Sequence, residues 1–179
     1  RGFLGALWAL DAAERLDDAA MQALYGSLIG LVFEMAGLPF ISRGYQQRAA
    51  YYLERSHSPQ IELRILRMQA LLQVLRGNYA VALRMHAECA GRAYQIGDDH
   101  AWLVCQQVQS AMYFCWGAHS RAEDLLVAVL SVAENKGIKR YAMSARLLQV
   151  ALWLRRGRIE PAEVGLKKKA QAVIVATGS

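Results

Sequence analysis

The sequence predicts an all-α fold, a stack of antiparallel helix hairpins that repeats one short turn at a fixed spacing. Three observations predict it. Gly37, Gly77, Gly117 and Gly157 stand 40 residues apart, with a second mark 20 residues on at Gly97 and Gly137. Five residues after each of the four comes a small side chain (Ser42, Ala82, Ala122, Ala162), and four before comes Phe33, Gln73, Tyr113 or Trp153. A fixed period in this range marks a stacked repeat, an α-solenoid. Secondly, the chain has only three prolines and is rich in Ala and Leu, which favours helix. Thirdly, strict apolar alternation is absent. The turn signals come every 20 residues, too far apart for a strand-and-turn pattern.

The elements follow in order. Phe3, Leu4, Leu7, Trp8 and Leu10 give residues 1–16 a helical period. Asp17-Asp18 caps a second helix that runs to about Ala36 and stops at Gly37. Pro39 suits the first turn of a third, ending near Arg55. Ser58-Pro59 opens a fourth, which ends at Gly77, and Asn78 caps a fifth, running to about Ile96. Asp98 or Asp99 starts a sixth, ending at Trp116, and Ser120 a seventh, ending near Lys136. The last pair is expected from Lys139 to Arg156 and from Glu160-Pro161 to about Val175. About nine helices result, joined by connections short enough to make neighbours antiparallel. Each unit pairs a helix before the glycine (A) with one after it (B). The expected organisation is a single repeat domain over 1–179: a half repeat at 1–16, then repeats of about 17–57, 58–97, 98–137 and 138–179. Opening on a B helix without its A partner, with apolar ends, the chain reads as a segment of a longer protein.

Composition narrows the class. No apolar run reaches the roughly 18 residues that span a bilayer, so no membrane partner is expected. The first residues, followed by Asp11, Glu14 and Arg15, do not form a convincing signal peptide. Cys89, Cys105 and Cys115 are odd in number and lack a C-x-x-C spacing. They read as buried thiols of a reducing, cytoplasmic compartment. The net charge of +6 permits an acidic partner without demanding one.

The aromatic-x-x-x-Gly pattern with an alanine five residues later resembles the tetratricopeptide repeat. Tyr113 to Ala122 and Trp153 to Ala162 match best, Gln73 to Ala82 less well. The first unit keeps Gly30, Phe33 and Gly37 but has Ser42 for the alanine. The period of 40 exceeds the family's usual one. With the tails Gln95-Ile96-Gly97-Asp98 and Asn135-Lys136-Gly137, it resembles the long repeats of MalT-like transcription regulators and related signal-transduction ATPases. The resemblance implies a right-handed superhelical stack and a role in ligand sensing or protein–protein interaction within a larger bacterial regulatory protein. It does not extend to the chemistry of those proteins. The P-loop pattern G-x-x-x-x-G-K-[ST] is absent, and no helix-turn-helix separates from the repeats.

The candidate site is a stripe on the A helices. Gln69, Gln109 and Gln149 form one column, Gln73, Tyr113 and Trp153 a second, and Arg76, Trp116 and Arg156 a third. Steps of four and three put the columns on one helix face. In tetratricopeptide stacks the A helices line the concave groove. Amides there would pair with backbone groups, arginines with carboxylates and rings with apolar side chains of a protein, peptide or small effector. For the aromatic column, ordinary inter-repeat core takes precedence, because a stack must bury large side chains between repeats. Arg55, Arg64 and Arg67 read as a solvated rim.

No catalytic, cofactor or metal site is expected. His86 and Cys89 share a helix face, but two ligands do not make a tetrahedral site. His57, His100 and His119 fall at helix boundaries. Asp17-Asp18, Asp98-Asp99 and Glu123-Asp124 read as helix-start acids that complement the dipole. Lys167-Lys168-Lys169 with Arg155, Arg156 and Arg158 forms a basic end beside Trp153, for which a solvated helix face is preferred to nucleic acid. The expected function is a non-catalytic binding module. The alternatives are a self-association scaffold, with homo-oligomers formed through the apolar ends, and, third, a nucleic-acid-binding helical repeat.

Overall fold

The computed structural model describes residues 2–158, and they form eight helices and no strand. These are α1 (Gly2–Arg15), α2 (Ala19–Met35), α3 (Pro39–Ser56), α4 (Pro59–Leu75), α5 (Tyr79–Gln95), α6 (Asp99–Cys115), α7 (His119–Asn135) and α8 (Lys139–Arg155). The all-α class is thus observed. The ninth helix expected at 160–175, and with it Lys167–Lys169, lies outside the described residues. The described residues fall into two compact units, one up to Ala101 and one from Trp102. No described helix is long and apolar enough to cross a membrane.

The register is tighter than the glycine spacing suggests. Positive φ occurs at 17, 37, 57, 77, 97, 117, 137 and 157, every 20 residues without exception. Six of these positions are glycine, but Asp17 (φ 50°) and His57 (φ 46°) adopt the same left-handed conformation. Gly77 illustrates the turn. Its N–H donates to the Val74 carbonyl (3.0 Å) and the next N–H, of Asn78, to the Gln73 carbonyl (2.9 Å). This double closure satisfies helix-end carbonyls that would otherwise lack partners. The same pair of bonds recurs at Asp17, Gly37, Gly97, Gly117, Gly137 and Gly157. A 17-residue helix and a three-residue connection make up the period at α2 and from α4 on, whereas α3 has 18 residues and only two connect it to α4.

Side-chain caps are less regular. Asp18 accepts from Met21 N (3.0 Å), Ser58 from Ile61 N (3.4 Å) and Asp98 from Ala101 N (2.9 Å), as their residue types predict. Asn78 corrects the expectation. It occupies the cap position, but its amide turns away and donates to Gln73 Oε1 at 2.8 Å. Leu38, Ala118 and Ile138 supply no side-chain cap either. The backbone turn, rather than the capping side chain, is what recurs.

In the first unit α2 packs on α1, α3 and α4, and α4 on α5. Ala23, Leu24, Ile61 and Ile65 form one buried cluster, and Ala6, Leu10 and Ile29 another. Phe33 stacks on Tyr45 (5.6 Å between centroids) beside the second cluster, so the aromatic column is core at its first position. In the second unit Leu103, Leu126, Val129, Ala133, Tyr141 and Ala145 bury together. The small residue after each glycine has a physical cause here. Ser110 Oγ donates to the Ala122 carbonyl (2.9 Å), which brings the two helices of that hairpin close together. The equivalent pair in the first unit is Gly30 and Ser42: a Cβ on Gly30 would lie 3.2 Å from the Ser42 carbonyl oxygen.

Candidate functional site

The column residues differ in environment from one helix to the next. In the first unit Gln69, halfway along α4, is half-buried and lines an open cavity of about 300 Å³. Leu53, Glu54 and His57 at the end of α3, Glu62 and Leu66 of α4 and Arg92 of α5 complete it. Arg92 contributes a charge held by Glu88 (2.7 Å) and, more loosely, by Glu62 (3.9 Å). A second hollow of about 250 Å³ shares Glu62 and Arg92. The lining mixes amide, carboxylate and guanidinium groups with two leucines. Such a surface can recognise backbone amides and charged side chains.

Arg76 is not free for a ligand. Its Nε and Nη2 donate to the two carboxylate oxygens of Glu34 at 2.8 and 3.1 Å, a bidentate pair linking the ends of α4 and α2. That bond is the main reason the Glu34 carboxyl titrates below the usual range; its own desolvation opposes the effect. Gln73 is half-buried and accepts from Asn78.

In the second unit Gln109 is buried, at 7% exposure, with its amide directed at the Cys105 carbonyl one turn back (3.4 Å). Gln149 and Trp153 of α8 remain half-buried. Tyr113 is edge-on to the half-exposed Trp116 (6.1 Å), and the Arg121 guanidinium lies over its ring (5.7 Å). Arg156, like Arg76, is engaged: it donates to Glu123 and to Ser120 Oγ (3.2 Å). Glu123 also holds Arg158 at 3.7 Å. This corrects the reading of Glu123 as a helix-start acid. It lies beyond the first turn of α7 and serves as an ion-pair partner.

The sequence did not single out Phe114 and Arg121; it read His119 only as a helix-boundary residue and Arg155 only as part of a basic end. Arg155 lies over Phe114 (5.8 Å), whose ring meets His119 (6.0 Å). The available signal was an arginine one turn into the helix that follows an aromatic pair. The thiols also need correcting: Cys89 and Cys105 are buried, but Cys115 is exposed. Cys89 directs its Sγ at the Leu63 carbonyl (3.6 Å).

His86 is buried in α5 at 1% exposure, and neither ring nitrogen has a hydrogen-bond partner among the described residues. Desolvation, with the nearby Arg67 charge second, pulls its pKa from the usual 6.5 to about 4. It is neutral at pH 7. No group of three or more His, Cys, Asp or Glu side chains suited to a metal occurs among the described residues.

No family model, curated protein or solved structure matches the chain.

Proposed function

We propose that the chain is a non-catalytic binding module of the tetratricopeptide type, a right-handed superhelical stack of helix hairpins. In this reading it is the sensor or interaction part of a larger cytoplasmic regulatory protein resembling MalT-like regulators. The A-helix face is the recognition surface, and its ligand is a peptide or a protein segment. The observation that carries the reading is the state of the column residues after packing. Gln149 and Trp153, one turn apart on α8, keep partly exposed side chains. An amide and a ring so spaced suit an extended segment, the amide pairing with its backbone and the ring with an apolar side chain. Arg156 supports this surface from its edge, bound to Glu123. In a stacked repeat each unit contacts only its neighbours, so a ligand held on one A helix would change its packing on the next.

The test uses peptides of about 12 residues selected from a random library for binding to the chain. Replacing Gln149 and Trp153 together by alanine should weaken the selected peptides by about tenfold or more, with the helical circular dichroism retained. Unchanged affinity in a folded double variant would remove the A-helix face as the recognition surface.

A further inference from the structure

We propose that copies of this chain associate head to tail, the acidic turn between α1 and α2 of one copy docking on the basic, aromatic end of α6, α7 and α8 of the next. This goes beyond the ligand-binding reading and does not use Gln149 or Trp153.

Charge is divided unevenly along the chain. Residues 2–35 carry Asp11, Glu14, Asp17, Asp18 and Glu34 against a single Arg15. Residues 102–158 carry eight basic side chains against three acidic ones. Of the acids, Asp11 pairs with Arg15, Glu14 with Arg48 and Glu34 with Arg76, which leaves Asp17 and Asp18; of the basic residues, Arg121, Arg155, Arg156 and Arg158 lie near the α6–α7 turn and the end of α8. At the α1–α2 turn Asp17 and Asp18 are exposed, and beside them Leu16 is 79% exposed, an apolar side chain presented by an acidic loop. Asp17 has no ion-pair partner among the described residues, and the turn that carries it is held by the helix-end backbone bonds.

The basic end has the complementary chemistry. Arg121 lies over Tyr113 and Arg155 over Phe114, so two guanidinium groups are held against rings instead of moving freely in water. Ordering them on a partner therefore costs less side-chain entropy. Glu123, which might have neutralised them, is taken up by Arg156 and Arg158. Arg121 and Arg155 have no carboxylate partner among the described residues. Trp116, 46% exposed and edge-on to Tyr113, offers an apolar surface beside them. Leu16 fits Trp116, and Asp17 and Asp18 fit the two arginines. Single-stranded nucleic acid fits less well, because it needs open ring faces for successive bases and those of Tyr113 and Phe114 each carry a guanidinium on one side.

The two surfaces differ, so the contact is heterologous, and an assembly joined by such contacts in a row keeps one acidic turn and one basic end unoccupied. Mean mass should therefore rise steadily with concentration instead of stopping at a dimer.

The experiment is sedimentation velocity on the 179-residue chain from about 10 to about 500 µM, at about 50 mM and about 500 mM salt. The expected result is growth with concentration, and an association constant about tenfold or more lower at the higher salt. Asp17→Lys alone should abolish growth, as should Arg121→Glu with Arg155→Glu. Mixing these two variants should restore association, because one then carries two basic ends and the other two acidic ends. Circular dichroism confirms that each variant is folded. A monomer at every concentration would overturn the proposal. So would association that survives both variants, or a mixture of folded variants that stays monomeric. Binding of an oligonucleotide of about 20 bases through Arg121 and Arg155 by a chain that remains monomeric would overturn it too, and assign the basic end to nucleic acid.

Discussion

Replacing glycine by alanine should act in opposite directions at two exposed positions, Gly77 and Gly91. At neither site would the new Cβ meet an atom within 4 Å, so sterics with neighbours drop out of the comparison. What differs is the backbone. Gly77 sits in the turn with φ 77°, where an L side chain costs about 1–2 kcal/mol. The stiffer unfolded chain returns about 0.4–1 kcal/mol, leaving a net loss of about 1 kcal/mol. Gly91 lies inside α5, where alanine is better than glycine by about 0.5–1 kcal/mol. Urea unfolding followed by circular dichroism should place the two variants on opposite sides of the parent. Thermal midpoints should move by about 2–4 °C per kcal/mol. If Gly77→Ala proved neutral or stabilising, the left-handed turn would not be what ends α4. If Gly91→Ala were destabilising, α5 would not be continuous there.

Other consequences are independent of that pair. His86 is held neutral, so the unfolded state takes up its proton first as pH falls. Stability is complete above pH 6.5, declines as pH drops towards about 4 and levels off below, by about 3 kcal/mol at most. His86→Leu should flatten the difference across that window in parallel urea titrations. Gly30→Ala should destabilise by more than 1 kcal/mol, because its Cβ would lie 2.6 Å from Gln46 Nε2 and 3.2 Å from a backbone oxygen. A thiol reagent should modify Cys115 rapidly in the folded chain and the buried Cys89 and Cys105 only on unfolding. A double-mutant cycle on Arg76 and Glu34, whose side chains are 32% and 10% exposed, should give a coupling of about 1 kcal/mol.

The all-helical fold was legible because its punctuation is local. A glycine in the left-handed region, its two backbone bonds and the small residue at the hairpin crossing all lie within a few residues of one another. Asp17 read as a cap and His57 as a helix-boundary residue, because they perform the same turn without the residue type that announces it. Caps were legible where an aspartate or serine had no competitor, as at Asp18, Ser58 and Asp98. At Asn78 the Gln73 amide won the side chain.

The candidate site was less legible, because its environment depends on distant residues. Spacing put Arg76 and Arg156 in one column. It could not reveal Glu34, 42 residues earlier, or Glu123, 33 earlier, as the groups that hold them. Nor could it separate Gln109, buried against its own helix, from Gln69 and Gln149 at the same register. The pairing of Arg121 with Tyr113 and of Arg155 with Phe114 depends on how three helix ends meet, a matter of packing rather than of spacing along the chain.

A turn every 20 residues, with or without glycine, is the feature on which the helix register rests. Backbone carbon chemical shifts of the chain in solution test it most directly. The account predicts helical shifts broken by single left-handed residues at each position of the series from 17 to 157, Asp17 and His57 included. Helical shifts running unbroken through His57, or a break displaced from it by several residues, would contradict the register.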